Sequence, residues 1–195
     1  PSWLTFTAST GVLTGTPTND NVGTTGNEVV LTITDAAGES VTDSFTITVA
    51  NTNDAPSFSS SPVLTAQEDD VYTYTAVGTD MDAGDTFTLA SSSIPGWLTF
   101  TASSGVLTGT PTNSDVGSHS VTLTVTDAAG ATGTQTFTIT VSNANDAPTV
   151  TSTAVTSATE DSVYTYTLTA SDADVGDTPV SYTHLRAHET KRTLG

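Results

Sequence analysis

Carboxylate side chains are the residues of this sequence whose number and spacing could do chemistry. The first 179 residues hold 20 of the 21 Asp and Glu residues, whereas the three basic residues are Arg186, Lys191 and Arg192. Clustered carboxylates repel one another unless a cation neutralises them, so this imbalance predicts a bound cation. Fourteen of the 20 acids recur at equivalent positions, mostly in turns: Asp35, Asp54, Glu68, Asp69, Asp80, Asp82, Asp85, Asp127, Asp146, Glu160, Asp161, Asp172, Asp174 and Asp177.

Ca²⁺ is the cation that these side chains suit best. It takes six to eight oxygen ligands in flexible geometry, from carboxylates, amide side chains and backbone carbonyls. Asp80-Met-Asp82 places two carboxylates within reach of one ion, and Asn143-Ala-Asn145-Asp146 adds amide and carboxylate oxygens. Transition metals favour imidazole or thiolate, but the chain has no Cys and His119 is the one His before residue 180. The sequence therefore predicts Ca²⁺ as the bound cofactor.

An internal repeat organises the chain. Residues 1–17 recur as 95–111, residues 51–56 as 143–148, and residues 68–74 as 160–166. The second and third pairs are offset by 92 positions, which is the predicted length of one unit. We therefore expect a first unit (residues 1–55, the back part of a repeat), a complete middle unit (residues 56–147) and a last unit (residues 148–179, the front part of a repeat).

The sequence pattern predicts that β-strands position these acids. Residues 121–126 and 137–141 alternate apolar residues with Thr, the period of a strand with one buried face. Turn-forming Asp, Gly and Pro separate such segments, and no helical periodicity is present before residue 180. The sequence predicts an all-β fold of tandem β-sandwich repeats, with Trp97, Leu98 and Phe100 in the core.

These motifs together resemble cadherin-like repeats, specifically the dystroglycan-type cadherin-like ("putative Ig") domains of bacterial surface proteins. The resemblance covers residues 1 to about 179. Its motifs are the acidic Glu68 (or Asp69), the Asp80-Met-Asp82 pair, the Asp127-Ala-Ala-Gly130 turn and the Asn143–Pro148 linker. The resemblance implies an Ig-like sandwich in every unit. It also implies Ca²⁺ at each junction, held by the earlier unit, the linker and the later unit.

When the family's junction ligands are assigned to the matching positions of this sequence, the resemblance implies two sets of Ca²⁺ ligands. The first junction would use Asn51, Asn53, Asp54, Asp80, Asp82 and Asp127. The second junction would use Glu68, Asn143, Asn145, Asp146, Asp172 and Asp174. Cadherins carry a further acidic pair where this chain has Leu107–Pro111, so we expect one or two ions per junction rather than three. Asp115 is expected to serve its own loop.

The functional prediction is a calcium-binding structural and adhesive segment of a large extracellular or bacterial cell-surface protein. The expected partners are the adjacent repeats of the same chain and a surface protein or glycan. A polyanion is repelled by phosphate and by anionic lipid, which argues against nucleic acid and direct membrane insertion. No catalytic set is evident, so we expect no enzyme activity. A polysaccharide-binding accessory module of a secreted enzyme and a passive acidic spacer remain the alternatives.

The last sixteen residues, 180–195, differ from the rest in composition. They contain all three basic residues together with His184 and His188. The segment resembles translated sequencing-adapter read-through at the end of an open reading frame. We therefore expect a non-native tail and exclude it from fold reasoning.

Overall fold

The computed structural model describes residues 1–174 and 176–181, and its regular elements are almost all β-strands. Two short 3-10 helices, Asn19–Asn21 and Asn113–Asp115, are the exceptions in this part of the chain. The strands are β1 Leu4–Thr7, β2 Val12–Gly15, β3 Glu28–Thr34, β4 Ser40–Thr46, β5 Ser57–Phe58, β6 Thr65–Gln67, β7 Tyr72–Thr75, β8 Gly78–Thr79, β9 Phe87–Ser93, β10 Leu98–Thr101, β11 Val106–Gly109, β12 Gly117–Asp127, β13 Thr132–Ser142, β14 Thr149–Val150 and β15 Ala170–Ser171.

The middle unit contains two facing sheets. One has the strand order β10-β11-β7, and the other has the order β6-β13-β12-β9. The long β12–β13 hairpin contains both segments in which apolar residues alternate with Thr, and its pairing extends from Gly117↔Val141 to Thr126↔Thr132. Strand β6 pairs with β13 in parallel, which brings the start of the unit to the end of its last strand.

The core of the middle unit lies between these two sheets. Leu107, Leu123 and Ile139 are completely buried. Tyr72 and Tyr74, on β7, are also buried members of this core. Trp97 and Phe100 pack against this cluster, whereas Leu98 belongs to it. Burial raises the pKa of Tyr72 to about 12, so its hydroxyl stays protonated and donates to the Val63 carbonyl at 2.8 Å. The alternation read from the sequence therefore corresponds to one buried face per strand.

The first and last units repeat parts of this architecture. The β1–β2 hairpin has the register Leu4↔Gly15, as β10–β11 has Leu98↔Gly109. The β3–β4 hairpin likewise occupies the place of β12–β13. In the last unit the short β14–β15 pair matches β5–β8. The residues of the last unit that correspond to β6 and β7 have no strand partner in the described part of the chain.

The structure confirms an all-β fold of Ig-like sandwich repeats. The exact unit boundaries remain a prediction. Searching the described residues finds no helix of the length and apolar character needed to cross a membrane. Most of the predicted non-native tail, residues 182–195, lies outside the described residues.

Candidate metal centre

Three acids of the middle unit meet at its end nearest to the first unit. One carboxylate oxygen from each of Asp80, Asp85 and Asp127 lies within 4.8 Å of the others. Asp127 is the last residue of β12 and pairs with Phe87, the first residue of β9. The turn before β9 contains Gly84 at φ +87°, a conformation that side-chain-bearing residues rarely adopt. The sheet register and this turn thus bring together acids that are 47 positions apart in the sequence.

The linker between the first and middle units is hydrogen-bonded to this acidic cluster. The Asn53 amide donates to Asp127 Oδ2 at 2.8 Å, and the Asp54 backbone N–H donates to Asp82 Oδ2 at 2.8 Å. Asn51 is exposed and makes no side-chain hydrogen bond within residues 1–174 and 176–181. Five of the six residues predicted for the first junction are therefore brought together, and Asn51 is not part of this network.

Burial makes the charge of this cluster costly. Asp82 is 5% exposed and Asp127 is 6% exposed. Asp80 Oδ2 and Asp82 Oδ1 are buried, and neither has a hydrogen-bond partner among the described residues. An unpaired buried oxygen of this kind costs about 1–3 kcal/mol, and more when the group is charged. A cation between the carboxylates would offset that cost.

The pKa of Asp127 lies below its ordinary value. The main cause is the hydrogen bond from the Asn53 side chain, which lowers the pKa. Backbone N–H groups of the Asp127–Ala131 turn lower it further, whereas burial acts in the opposite direction and raises it. The Ala131 N–H, for example, donates to Asp127 Oδ1 at 2.8 Å. The carboxylate of Asp127 is therefore held in the ionised form that a metal ion requires.

A second acidic cluster stands at the start of the last unit. Oxygens of Asp172, Asp174 and Asp177 lie within 4.8 Å of one another. The second linker repeats the contacts of the first, because the Asp146 backbone N–H donates to Asp174 Oδ2 at 2.8 Å. The Asn143 amide donates to Asp174 Oδ1 at 3.0 Å, so here the first Asn of the linker is engaged. Asn145 donates to the carbonyl of Asp146, within the linker itself.

Glu68 connects the middle unit to the second linker. The parallel β6–β13 pairing brings Glu68 beside Ser142, whose carbonyl accepts its backbone N–H at 3.0 Å. Its side chain is 1% exposed; Oε1 accepts the Ala144 N–H, and Oε2 has no partner among the described residues. Asp69 is exposed in the left-handed region at φ 63°. Of the two acids left open by the sequence, the structure places Glu68 at the linker.

Sequence reasoning missed two contributors to these sites. Asp85 and its counterpart Asp177 belong to the clusters but were absent from the predicted ligand sets. The asparagines that open the two 3-10 helices also reach the linker aspartates. Asn19 donates to Asp54 Oδ2 at 2.8 Å, and Asn113 donates to Asp146 Oδ2 at 2.7 Å. The repeated Pro-Thr-Asn motif at 17–19 and 111–113 was the available signal.

Asp115 and His119 serve the local structure of their own loop. Asp115 accepts hydrogen bonds from the backbone and hydroxyl of Thr112 at 2.9 and 2.8 Å, and the backbone bond is the main cause that lowers its pKa. The His119 ring bonds to the Asp115 carbonyl at 2.6 Å and packs edge-on against Trp97 at 5.9 Å. Asp115 thus occupies the loop-turn role expected from the sequence.

The residues present fit a hard cation that prefers oxygen ligands. Each cluster joins three carboxylates to a linker whose amide and backbone groups lie beside them. Ca²⁺ tolerates this irregular mixture, whereas Mg²⁺ demands near-ideal octahedral geometry. Zinc-type sites use His or Cys ligands, and neither residue occurs in these clusters.

The facing sheets and end-to-end linkers define the class of Ig-like sandwich found in cadherin extracellular domains. The chain is similar to the protocadherin GammaB4 extracellular domain, with TM-score 0.53 and 21% identity, over 89% of this chain and 33% of that one. This likeness shows the fold alone. A match to an endo-fucoidan hydrolase of glycoside hydrolase family 107 has TM-score 0.41 and 28% identity, over 74% of this chain and 22% of that one. At that TM-score it supports no functional argument.

The family model described as "Putative Ig domain" matches residues 1–50 and 55–142, and the chain belongs to this family. A curated relative is the "Serine-rich adhesin for platelets" of Staphylococcus aureus, which is 31% identical over 135 residues. That match covers 66% of this chain, and this chain spans only 5% of the length of the adhesin. The resemblance drawn from the repeated motifs is confirmed.

Proposed function

We propose that this chain is a calcium-binding structural and adhesive segment of an extracellular or bacterial cell-surface protein, in which Ca²⁺ stiffens the junctions between units. One observation carries the proposal. At the first junction the linker is hydrogen-bonded to a buried acidic cluster in which Asp80 Oδ2 and Asp82 Oδ1 have no protein partner within the described residues. A divalent cation supplies the missing charge and bonds.

The ligands of the first junction would come from both the linker and the middle unit. Asp80, Asp85 and Asp127 supply the clustered oxygens, and Asp82 lies beside them with its free Oδ1. At the second junction Asp172, Asp174 and Asp177 form the cluster, and Glu68 contributes its unpartnered Oε2 from the preceding unit. Asn51, Asn53, Asp54, Asn143, Asn145 and Asp146 complete the proposed sets from the two linkers.

The proposed mechanism is electrostatic. Without Ca²⁺ the carboxylates at a junction repel one another, which loosens the hydrogen bonds between linker and cluster. With Ca²⁺ the ion binds groups from both sides of the junction and limits the angles between units. Extracellular calcium modules work with dissociation constants of about 10⁻⁴–10⁻³ M, so sites of moderate affinity suffice.

The relatives support an extracellular and non-enzymatic role. The curated relative is named as an adhesin of Staphylococcus aureus. The proposed partners are therefore the neighbouring repeats and a surface protein or glycan.

Calorimetric titration of the chain with CaCl₂ tests the proposal, using Asp127→Asn and a matched control. Asn keeps the oxygen that accepts the Ala131 N–H but removes the charge. The control is Asp35→Asn, at the equivalent position of the first unit. The Asp35 side chain is exposed, and among the described residues it accepts hydrogen bonds only from the backbone N–H groups of Ala37 and Glu39, within its own turn. We expect Asp127→Asn to weaken calcium binding about tenfold or more, and Asp35→Asn to leave it unchanged.

Small-angle scattering of the same proteins tests the mechanical part of the proposal. Chelation should broaden the distance distribution of the wild type while the strand content measured by circular dichroism stays constant. Identical scattering with and without chelator would exclude calcium stiffening. The absence of any calcium uptake would favour the passive acidic spacer.

A further inference from the structure

Each linker contacts the unit that follows it through acids alone. Within the described part of the chain, every hydrogen bond from a linker to the following unit ends on a carboxylate of the acidic clusters or of Asp82. The four bonds run from the Asp54 N–H to Asp82, from the Asn53 amide to Asp127, from the Asp146 N–H to Asp174 and from the Asn143 amide to Asp174. This side of each junction therefore depends on groups that repel one another when no cation is bound.

Toward the preceding unit, the linkers are held by groups outside those clusters. The Asn19 amide donates to Asp54 Oδ2 at 2.8 Å, and the Asn113 amide donates to Asp146 Oδ2 at 2.7 Å. We call each of these two hydrogen bonds an asparagine latch. In a latch a neutral donor faces one carboxylate, and a bond to an ionised acceptor is stronger than a bond between neutral groups. The contact is therefore attractive without a cation.

The fold of the middle unit fixes the position of Asn113. The preceding Pro111 is completely buried, and its carbonyl accepts the Asp69 N–H at 2.9 Å, which ties this loop to the turn between β6 and β7. Asp115 accepts hydrogen bonds from the backbone and hydroxyl of Thr112 and so closes the loop around the 3-10 helix. The sandwich, rather than the linker, therefore positions the Asn113 amide.

Glu68 supplies a second contact on the same side of the second junction. Its Oε1 accepts the Ala144 N–H, two residues before Asp146. Its own backbone N–H donates to the carbonyl of Ser142, the last residue of β13, so the sheet holds Glu68 in place. Glu68 is not one of the three acids of the second cluster. The second linker is thus joined to the middle unit at two points, Ala144 and Asp146.

We propose that Asn19 and Asn113 are positioning residues that keep each linker attached to the unit before it, whether or not calcium is bound. Loss of calcium releases repulsion in the cluster of the following unit, where oxygens of three acids lie within 4.8 Å of one another. The junction then opens between the linker and the following unit, and the linker stays with the preceding unit. The place of this hinge rests on the proposed calcium role, whereas the latch does not.

A direct calcium ligand is the alternative role for Asn113. Its Oδ1 is buried and has no hydrogen-bond partner among the described residues. A ligand matters only when calcium is present, whereas a latch matters most when calcium is absent. The decisive measurements are therefore made in chelator.

Amide hydrogen exchange of the 195-residue chain, resolved by residue with NMR, locates the hinge. The N–H groups of Ala144 and Asp146 lie two positions apart but are bonded to opposite sides of the junction. Chelation should accelerate exchange at Asp146 about tenfold or more, because its bond to Asp174 is lost, and should change exchange at Ala144 less than about twofold. Equal acceleration at the two amides would overturn the one-sided hinge.

Asn113→Ala tests the latch itself through the backbone order parameter of Asp146 in chelator. The wild type should keep a value of about 0.85, typical of rigid backbone, and the variant should fall below about 0.6. Ser114→Ala is the matched control, because Ser114 belongs to the same 3-10 helix but its hydroxyl contacts Thr112 instead of the linker. Asn19→Ala removes the latch of the other junction. Both controls should leave Asp146 unchanged.

Calorimetric titration of the same proteins with CaCl₂ separates this inference from the proposed function. A chain that takes up no calcium contradicts the proposed function, yet a lower Asp146 order parameter in Asn113→Ala would still support the latch. Equal order parameters in the wild type and Asn113→Ala would overturn the latch. If that variant also lost calcium affinity about tenfold, Asn113 would be assigned as a direct ligand instead.

Discussion

The first and middle units contain nearly the same hairpins in different surroundings. The register of β1–β2 matches that of β10–β11, and Phe45 stands where Phe137 stands. Yet Phe45 is exposed and Phe137 is buried, because β6 and β7 cover the middle unit and, among the described residues, no strand covers the first unit. Hairpin pairing thus follows from local sequence, whereas core formation requires segments that lie about 30 to 75 positions earlier in the chain than the strands they pair with.

The two tryptophans occupy equivalent positions of the first and middle units but make different contacts. The Trp3 indole donates to Asn27 at 2.9 Å, whereas Trp97 packs edge-on against His119 and its indole N–H has no partner among the described residues. Residues 24–28 of the first unit are two residues longer than their counterpart, residues 118–120. This insertion brings Asn27 into the place of His119.

The largest difference between the units is expected from Phe137→Ala and Phe45→Ala. Phe137→Ala empties a packed core and should lower the free energy of unfolding by about 3–5 kcal/mol, whereas Phe45→Ala should cost about 1 kcal/mol or less. Denaturant unfolding at high dilution measures both. Similar losses from the two variants would show that the first unit is packed as tightly as the middle one.

A smaller effect is expected from Asn27→Ala. The Asn27 amide also donates to the carbonyls of Asn21 and Gly23, so its removal leaves three polar groups without this partner. We expect a loss of about 1–3 kcal/mol in local stability. Amide hydrogen exchange should accelerate within residues 1–50 and stay constant within residues 56–142. Equal acceleration in both regions would mean that the two units unfold together.

The smallest effect concerns the pKa of Asp127, which the Asn53 hydrogen bond lowers. A depressed pKa stabilises the folded chain above the ordinary value of about 3.9, and this contribution disappears as the pH falls through the folded-state pKa. Asn53→Ala should move the Asp127 pKa up towards its ordinary value. Asn51→Ala, at an exposed linker position, is the control. Carbon NMR titration in chelator measures the pKa of Asp127. An unchanged pKa in Asn53→Ala would mean that the backbone N–H groups of the turn alone lower it.

Much of the fold could be predicted because it depends on periodicity that the sequence shows directly. Alternating Thr and apolar residues at 121–126 and 137–141 predicted the long hairpin, and the 92-residue offset predicted that linkers and acids recur. The pair Asp80-x-Asp82 likewise recurs as Asp172-x-Asp174, and the resemblance to cadherin-like repeats implied that these acids lie at the two junctions.

Other features depended on contacts between distant segments. Asp85 joins Asp127 because the β9–β12 register aligns their strands, and no local pattern indicates that proximity. The contacts of Asn19 and Asn113 with the linkers arise because each 3-10 helix lies beside the following linker, 33 to 35 positions away.

The sequence by itself determined the strands, the repeat and the acidic character of the junctions, because these follow from residue types at short spacing. The tertiary structure alone decided which carboxylate oxygens are buried without a partner among the described residues. Burial is a property of the segments that pack together, and only the folded chain brings those segments into contact.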